Sequence, residues 1–312
     1  MSTYSIRDFK GVIPAVLTVF DQNENLDEEA TREFIRYLLT FDIGGLYLTG
    51  STGEGFLMTP EERKRVVEVV MNEVNGRVPV VVHVGAISTK ISIDLAQHAE
   101  SFGVDGVSSV PPFYWRFSEA QIIQYYKDIA ESTALPMIVY NIPLAGLMSI
   151  QTIEKLSTLK NVVGVKYTAS TLYEVTQIKD ACGQDFLIYG GSDEMASSNI
   201  ALNVDGIIGS FYNMIPDLFI DIHNAVKASD LQKASILQAN GVRIIMNILA
   251  HGSMTAAMKA CLRHAGVNAG YARRPFNNFT AEQEQAIIKS LLDLKNQYNI
   301  TNVDLLNRLA NR

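Results

Sequence analysis

Eight short runs rich in β-branched and aromatic residues recur along the chain, each closed by Gly, Pro, Ser or Asn. Longer segments with apolar residues at i, i+3, i+4 and i+7 separate them. The runs begin near Gly11, Gly44, Val78, Gly106, Leu135, Val162, Phe186 and Gly206. Helix starts lie between them. Thr59-Pro60-Glu61-Glu62 offers a cap, a proline at the first helical position and a Glu three residues after the cap, and Ser118-Glu119-Ala120-Gln121 is a second capping box. Runs that are apolar on both faces predict a parallel sheet covered by helices. Eight strand-helix units within about 220 residues predict a closed (β/α)8 TIM barrel rather than two open sheets. We therefore assign residues 1–229 to a barrel that carries the active site, and residues 230–312, where the pattern is purely helical, to a C-terminal helical extension. Three or four helices are expected there, broken at His251-Gly252-Ser253 and around Arg274-Pro275-Phe276-Asn277-Asn278. A doubly wound sheet would show G-x-G-x-x-G after its first strand. That motif, the phosphate loop G-x-x-x-x-G-K-[ST] and the G-x-S-x-G elbow are all missing.

Charge and composition narrow the function. The 26 Lys+Arg against 33 Asp+Glu give a net charge of -7, without a basic cluster, which argues against nucleic acid as a partner. The first apolar run, Gly11 to Phe20, is too short to span a bilayer and lacks a small-residue cleavage site, so a cytoplasmic protein without membrane attachment is expected. Cys182 and Cys261 form no C-x-x-C pair, and the five histidines include no H-x-x-x-H or H-E-x-x-H pair. If the chain is an enzyme, chemistry without a metal is the expectation.

In such a barrel the site forms at the C-terminal ends of the strands. The polar residues there are Ser51 and Thr52, Tyr140, Lys166 and Thr168, Asp193 and Glu194, and Ser210. Lys166 is the most informative. It lies in Val162-Val163-Gly164-Val165-Lys166-Tyr167-Thr168, and alternation puts Gly164, Lys166 and Thr168 on one face. An amine held there favours its neutral form, which can attack a ketone to give an imine. A lysine snorkelling at a strand end leaves the same pattern. Tyr140 ends Met137-Ile138-Val139-Tyr140 and could shuttle a proton, although among 13 tyrosines its spacing alone does not single it out. Gly50-Ser51-Thr52-Gly53-Glu54-Gly55 could form an anion-binding nest suited to a carboxylate, yet glycine-rich turns also serve plain geometry.

Taken together, Gly50-Ser51-Thr52-Gly53-Glu54, Tyr140-Asn141-Ile142-Pro143, Val165-Lys166-Tyr167-Thr168, Asp193-Glu194 and Gly209-Ser210-Phe211-Tyr212-Asn213 resemble the N-acetylneuraminate lyase (sialic acid aldolase) group. This group belongs to the dihydrodipicolinate synthase superfamily of pyruvate-dependent aldolases. The resemblance spans the barrel and extends to Arg274-Pro275-Phe276. It implies reversible cleavage of N-acetylneuraminate to N-acetylmannosamine and pyruvate, through a Schiff base on Lys166 and without a separate cofactor. It also implies that Tyr140 moves the proton at the bond being broken. Ser51 and Thr52 would hold the pyruvate carboxylate, with Ser51 linking towards Tyr140. Thr168, Gly191, Asp193, Glu194 and Ser210 match positions that bind the polyhydroxylated remainder of the sugar. Tyr114, in Pro111-Pro112-Phe113-Tyr114-Trp115, matches an aromatic that enters a neighbouring subunit's site, which implies a homotetramer.

Dihydrodipicolinate synthases usually carry an arginine just beyond Y-N-x-P, where this chain has Leu144-Ala145-Gly146. The stretch from Tyr140 to Ser149 is one residue shorter than in typical lyases, and His251-Gly252-Ser253-Met254-Thr255 departs from their site-capping segment. The alternatives are therefore another 2-keto-3-deoxy sugar acid aldolase, a dihydrodipicolinate synthase, or a catalytically silent binding protein on the same barrel. Retention of both Lys166 and Tyr140 argues against the last.

Overall fold

The computed structural model describes residues 4–312. Strands and helices alternate as β1 (Gly11–Pro14), α1 (Glu28–Leu38), β2 (Leu46–Leu48), α2 (Pro60–Val74), β3 (Val80–His83), α3 (Thr89–Ser101), β4 (Gly106–Ser109) and α4 (Glu119–Glu131). The second half repeats the unit: β5 (Met137–Asn141), α5 (Ile150–Ser157), β6 (Val162–Tyr167), α6 (Glu174–Cys182), β7 (Leu187–Gly190), α7 (Ala196–Ala201), β8 (Gly206–Gly209) and α8 (Pro216–Lys227). Four helices follow, α9 (Leu231–Leu249), α10 (Met254–His264), α11 (Ala281–Gln297) and α12 (Asp304–Ala310).

All seven strand pairings are parallel, in the order β1-β8-β7-β6-β5-β4-β3-β2. The eighth seam is short. The bridge between Ala15 and Tyr47, with Val16 N–H donating to the Tyr47 carbonyl at 2.8 Å, closes the (β/α)8 barrel. Alternation sorts the side chains. Ile138, Tyr140, Leu187, Tyr189 and Ile208 fill the barrel, whereas Val139, Val165, Tyr167 and Ile188 pack outward against the helices. Phe9 plugs the interior from the N-terminal side, its ring 5.5 Å from that of Tyr189.

Both capping boxes form. Thr59 caps α2 with Pro60 next to it and Glu62 answering, and Ser118 pairs with Gln121 at α4. Helices α9 and α10 are separated at His251–Ser253, where Gly252 takes a φ of 95°, and the segment from Arg274 to Asn278 lies between α10 and α11. The first strand is shorter than its residues predict. While the Val16 N–H turns to Tyr47, the Leu17 N–H and the Ala15 carbonyl meet a side chain: Asn213 accepts from the Leu17 N–H at 3.1 Å and donates to the Ala15 carbonyl at 2.7 Å. An amide side chain presents the same donor and acceptor as a peptide, so it ends the ladder while satisfying it.

Candidate active site

A cavity of about 790 Å³ opens at the C-terminal ends of the strands. The barrel side is lined by Ser51, Thr52, Tyr140, Lys166, Thr168, Gly191 and Ser210, and the opposite wall by His251–Thr255, Pro275–Phe279 and Gln283. Strand register sets the core of this arrangement, because β5 and β6 pair Tyr140 directly with Lys166. Both side chains point inward as alternation requires.

Lys166 is only 4% exposed, and its Nζ lies 4.2 Å from the ring centre of Tyr140 and 4.6 Å from that of Tyr47. Burial pushes its ammonium down to about 7, opposed by the charge of Asp193. An amine near that value is substantially neutral at physiological pH and free to act as a nucleophile. Burial also drives the Tyr140 phenol up to about 12, against the opposite pull of the Thr168 and Ser51 hydroxyls. The phenol is therefore protonated at rest.

Around this pair the remaining predicted residues fall into two groups. Thr52 and Ser210 come together, their hydroxyl oxygens 2.7 Å apart. Thr168 is beside Gly191, where a Cβ would sit 1.8 Å from Thr168 Oγ1 and 3.3 Å from Lys166 Cε; only glycine leaves room for both. Asp193 and Glu194 are not among the lining residues. Asp193 is buried, with Oδ2 accepting from the Phe211 N–H at 2.8 Å and Oδ1 pressed towards Gly209 without a hydrogen bond. Burial raises its carboxyl to about 7, against the Phe211 N–H. Glu194 is exposed. Tyr114 lies away from the cavity lining, 82% exposed and at a φ of 82°, edge-on to Trp115. Phe113 turns back instead, its ring 4.7 Å from that of Phe56, so two of the three adjacent aromatics stay exposed.

Four features escaped the sequence reading. Tyr47 completes the ring pair around the Lys166 amine, and its own hydroxyl bonds to Ser108 Oγ at 3.0 Å. Its signal is its place in Leu46-Tyr47-Leu48, where alternation turns Tyr47 into the barrel and the two leucines outward. His83 stands edge-on to Tyr140 with its ring centre 6.1 Å away, and burial beside Arg63 and Lys166 holds it neutral. Gln283 reaches the far wall from α11. Finally, Glu54 forms a 2.6 Å ion pair with Lys259 of α10, both side chains fully buried. Among the described residues no three His, Cys, Asp or Glu side chains gather as a metal site would require, and no helix is long and apolar enough to cross a membrane.

Comparison with known proteins gives this geometry its relatives, for residues 8–294 match the dihydrodipicolinate synthetase family. The chain belongs to that family. N-acetylneuraminate lyase 2 of Escherichia coli O6:H1 is 39% identical to it over 274 residues, covering 86% of this chain and 89% of the relative. The solved sialic acid aldolase of Ruminococcus gnavus superposes with a TM-score of 0.88 at 30% identity, covering 93% of this chain and 99% of the other. A structure of the same aldolase described as its catalytic lysine mutant superposes equally well, at 0.88 and 29% identity over 96% of this chain and all of that one. Members of the dihydrodipicolinate synthetase family thus share with this chain both the barrel and the helices that follow it.

Proposed function

We propose that the protein is a Schiff-base aldolase that cleaves N-acetylneuraminate reversibly to N-acetylmannosamine and pyruvate. The observation that carries this reading is one amine, Lys166, buried between the rings of Tyr47 and Tyr140 at the floor of an open cavity. Family membership and the lyases among its relatives support the reaction class.

In this reading the neutral Lys166 Nζ adds to C2 of the open keto acid, and loss of water gives an iminium. Tyr140 relays the proton lost from the hydroxyl on the carbon two removed from the iminium. As that hydroxyl becomes a carbonyl, the bond between its carbon and the carbon next to the iminium breaks, and its electrons move into the iminium, giving an enamine. Protonation of the enamine carbon and hydrolysis then free pyruvate and restore the amine. The electron sink is made from the protein's own lysine, so the reading assigns no resident cofactor or metal.

Ser51 and Thr52 are assigned to the carboxylate, which gains hydrogen bonds from hydroxyls in a partly dehydrated site. Ser51 also acts with Tyr140. The polyhydroxylated remainder is assigned to Thr168, Gly191, Asp193, Glu194 and Ser210. We further propose a cytoplasmic homotetramer in which Tyr114 approaches a neighbouring subunit's site, and a division of the chain into a barrel, 1–229, and an extension, 230–312. The test is a pair of measurements. Borohydride added with pyruvate should leave a covalent adduct on the peptide containing Lys166, and N-acetylneuraminate should release pyruvate. An adduct on another lysine, or release of no pyruvate at any enzyme concentration while aspartate semialdehyde condenses efficiently, overturns the assignment.

A further inference from the structure

The turn that carries Ser51 and Thr52 is held from behind by a buried charge. Glu54 N–H donates to the Ser51 carbonyl at 3.1 Å, and Gly55 N–H to Gly50 at 3.0 Å, closing the turn on itself. Glu54 takes a left-handed φ of 56°, a conformation that a side chain with a Cβ adopts only when its surroundings require it. Those surroundings are specific. Glu54 Oε1 accepts from Lys259 Nζ at 2.6 Å and Oε2 from the Arg273 N–H at 2.7 Å.

Lys259 uses its three donors on three separate segments: the Thr18 carbonyl at 2.7 Å, Glu54, and the Tyr271 carbonyl at 2.7 Å. Thr18 in turn donates its hydroxyl to the Gly53 carbonyl at 2.6 Å. The ammonium thus ties the segment after β1, the turn after β2 and the segment after α10 to one point. Two of these border the cavity. Met254 and Thr255, at the start of the helix bearing Lys259, line it, as does Pro275 soon after Arg273.

Fold stability is a poor reason for such a pair. A buried ion pair is often replaceable by apolar side chains of similar volume, because desolvation offsets the attraction. Directionality is what apolar packing cannot supply, and here every ammonium proton and both carboxylate oxygens have a fixed partner.

We propose that the Glu54–Lys259 pair is a positioning device that holds the Ser51–Thr52 turn against the C-terminal wall of the cavity, and so sets the affinity of the site for the carboxylate of a 2-oxo acid. The inference rests on the carboxylate assignment of the proposed function. Neither residue touches the reacting atoms.

The experiment measures borohydride trapping across a pyruvate series in the full-length protein, for Lys259→Met, Glu54→Gln and the double variant, with folding checked by circular dichroism. The expected result is a rise of at least about tenfold in the pyruvate concentration for half-maximal trapping, with the rate at saturating pyruvate kept within about threefold. A single variant leaves one buried charge unpaired and can unfold. The double variant leaves none and is then the one read. Half-saturation within about twofold of the unaltered protein in a folded variant overturns the inference. So does unfolding of all three, which would make the pair a requirement of the whole fold. An unaltered protein that forms no adduct overturns the proposed function as well, whereas an adduct indifferent to these substitutions overturns this inference alone.

Discussion

Lys166 has two influences on its proton, and they oppose one another. Burial lowers its ammonium to about 7 and Asp193 raises it. Below that value the ammonium accumulates and cannot attack a ketone, so the rate of pyruvate trapping should fall as pH drops through neutrality and level off above it. Asp193→Asn removes the one neighbour that raises the lysine, so the falling limb should move to lower pH. Trapping rates between about pH 5 and 9 check this, and a limb that stays or moves upward contradicts it. Tyr140 gives a second expectation. Tyr140→Phe keeps the ring 4.2 Å from the amine and removes only the hydroxyl. Imine formation should persist while cleavage of N-acetylneuraminate drops by about 10²–10⁴-fold, the usual contribution of a general acid-base group. Turnover equal to that of the unaltered enzyme would return Tyr140 to a packing role.

At the scale of elements, β6 and β1 mark what the amino-acid sequence could and could not disclose. Lys166 was legible because an ammonium interrupts an otherwise apolar strand, and period-2 alternation fixes which way it points. Tyr47 was not, since an aromatic within a strand reads as ordinary core until its neighbour across the barrel is known. The Glu54–Lys259 pair joins residues far apart in the chain, and no local pattern encodes that meeting. Asp193 and Glu194 were legible as an acidic pair, but not their different fates, one buried and one exposed. The first strand stops short of its apolar run for a physical reason: Val16, Leu17, Val19 and Phe20 are buried and have strand chemistry, yet the Leu17 N–H and the Ala15 carbonyl are bonded by the side chain of Asn213 rather than by a neighbouring strand. This latch is testable. Asn213→Ala leaves the Leu17 N–H and the Ala15 carbonyl without their partner, and an unsatisfied buried group costs about 1–3 kcal/mol. Urea unfolding should show a loss of at least that size, and a variant within about 0.5 kcal/mol of the parent would remove Asn213 from this role.

For the whole molecule, exposed aromatics point beyond the single chain. Tyr114 at 82% and Trp115 at 63% exposure, with Leu144 and Leu147 also exposed, leave apolar surface that a partner could cover. Light scattering should give the mass of four chains, and Tyr114→Ser should lower it or make it depend on concentration. A fully active single-chain mass contradicts the tetramer. Ring closure also has a consequence for how the protein is made. Gly11 finds its strand partner in Gly206, so the first strand to leave the ribosome must wait for nearly the last. At about 5–20 residues per second, that interval is on the order of 10–40 s. Throughout it the nascent chain carries an unmatched strand edge at each end of a growing sheet. Such edges are templates for association with other chains, so the period of greatest hazard for this protein falls before it is complete.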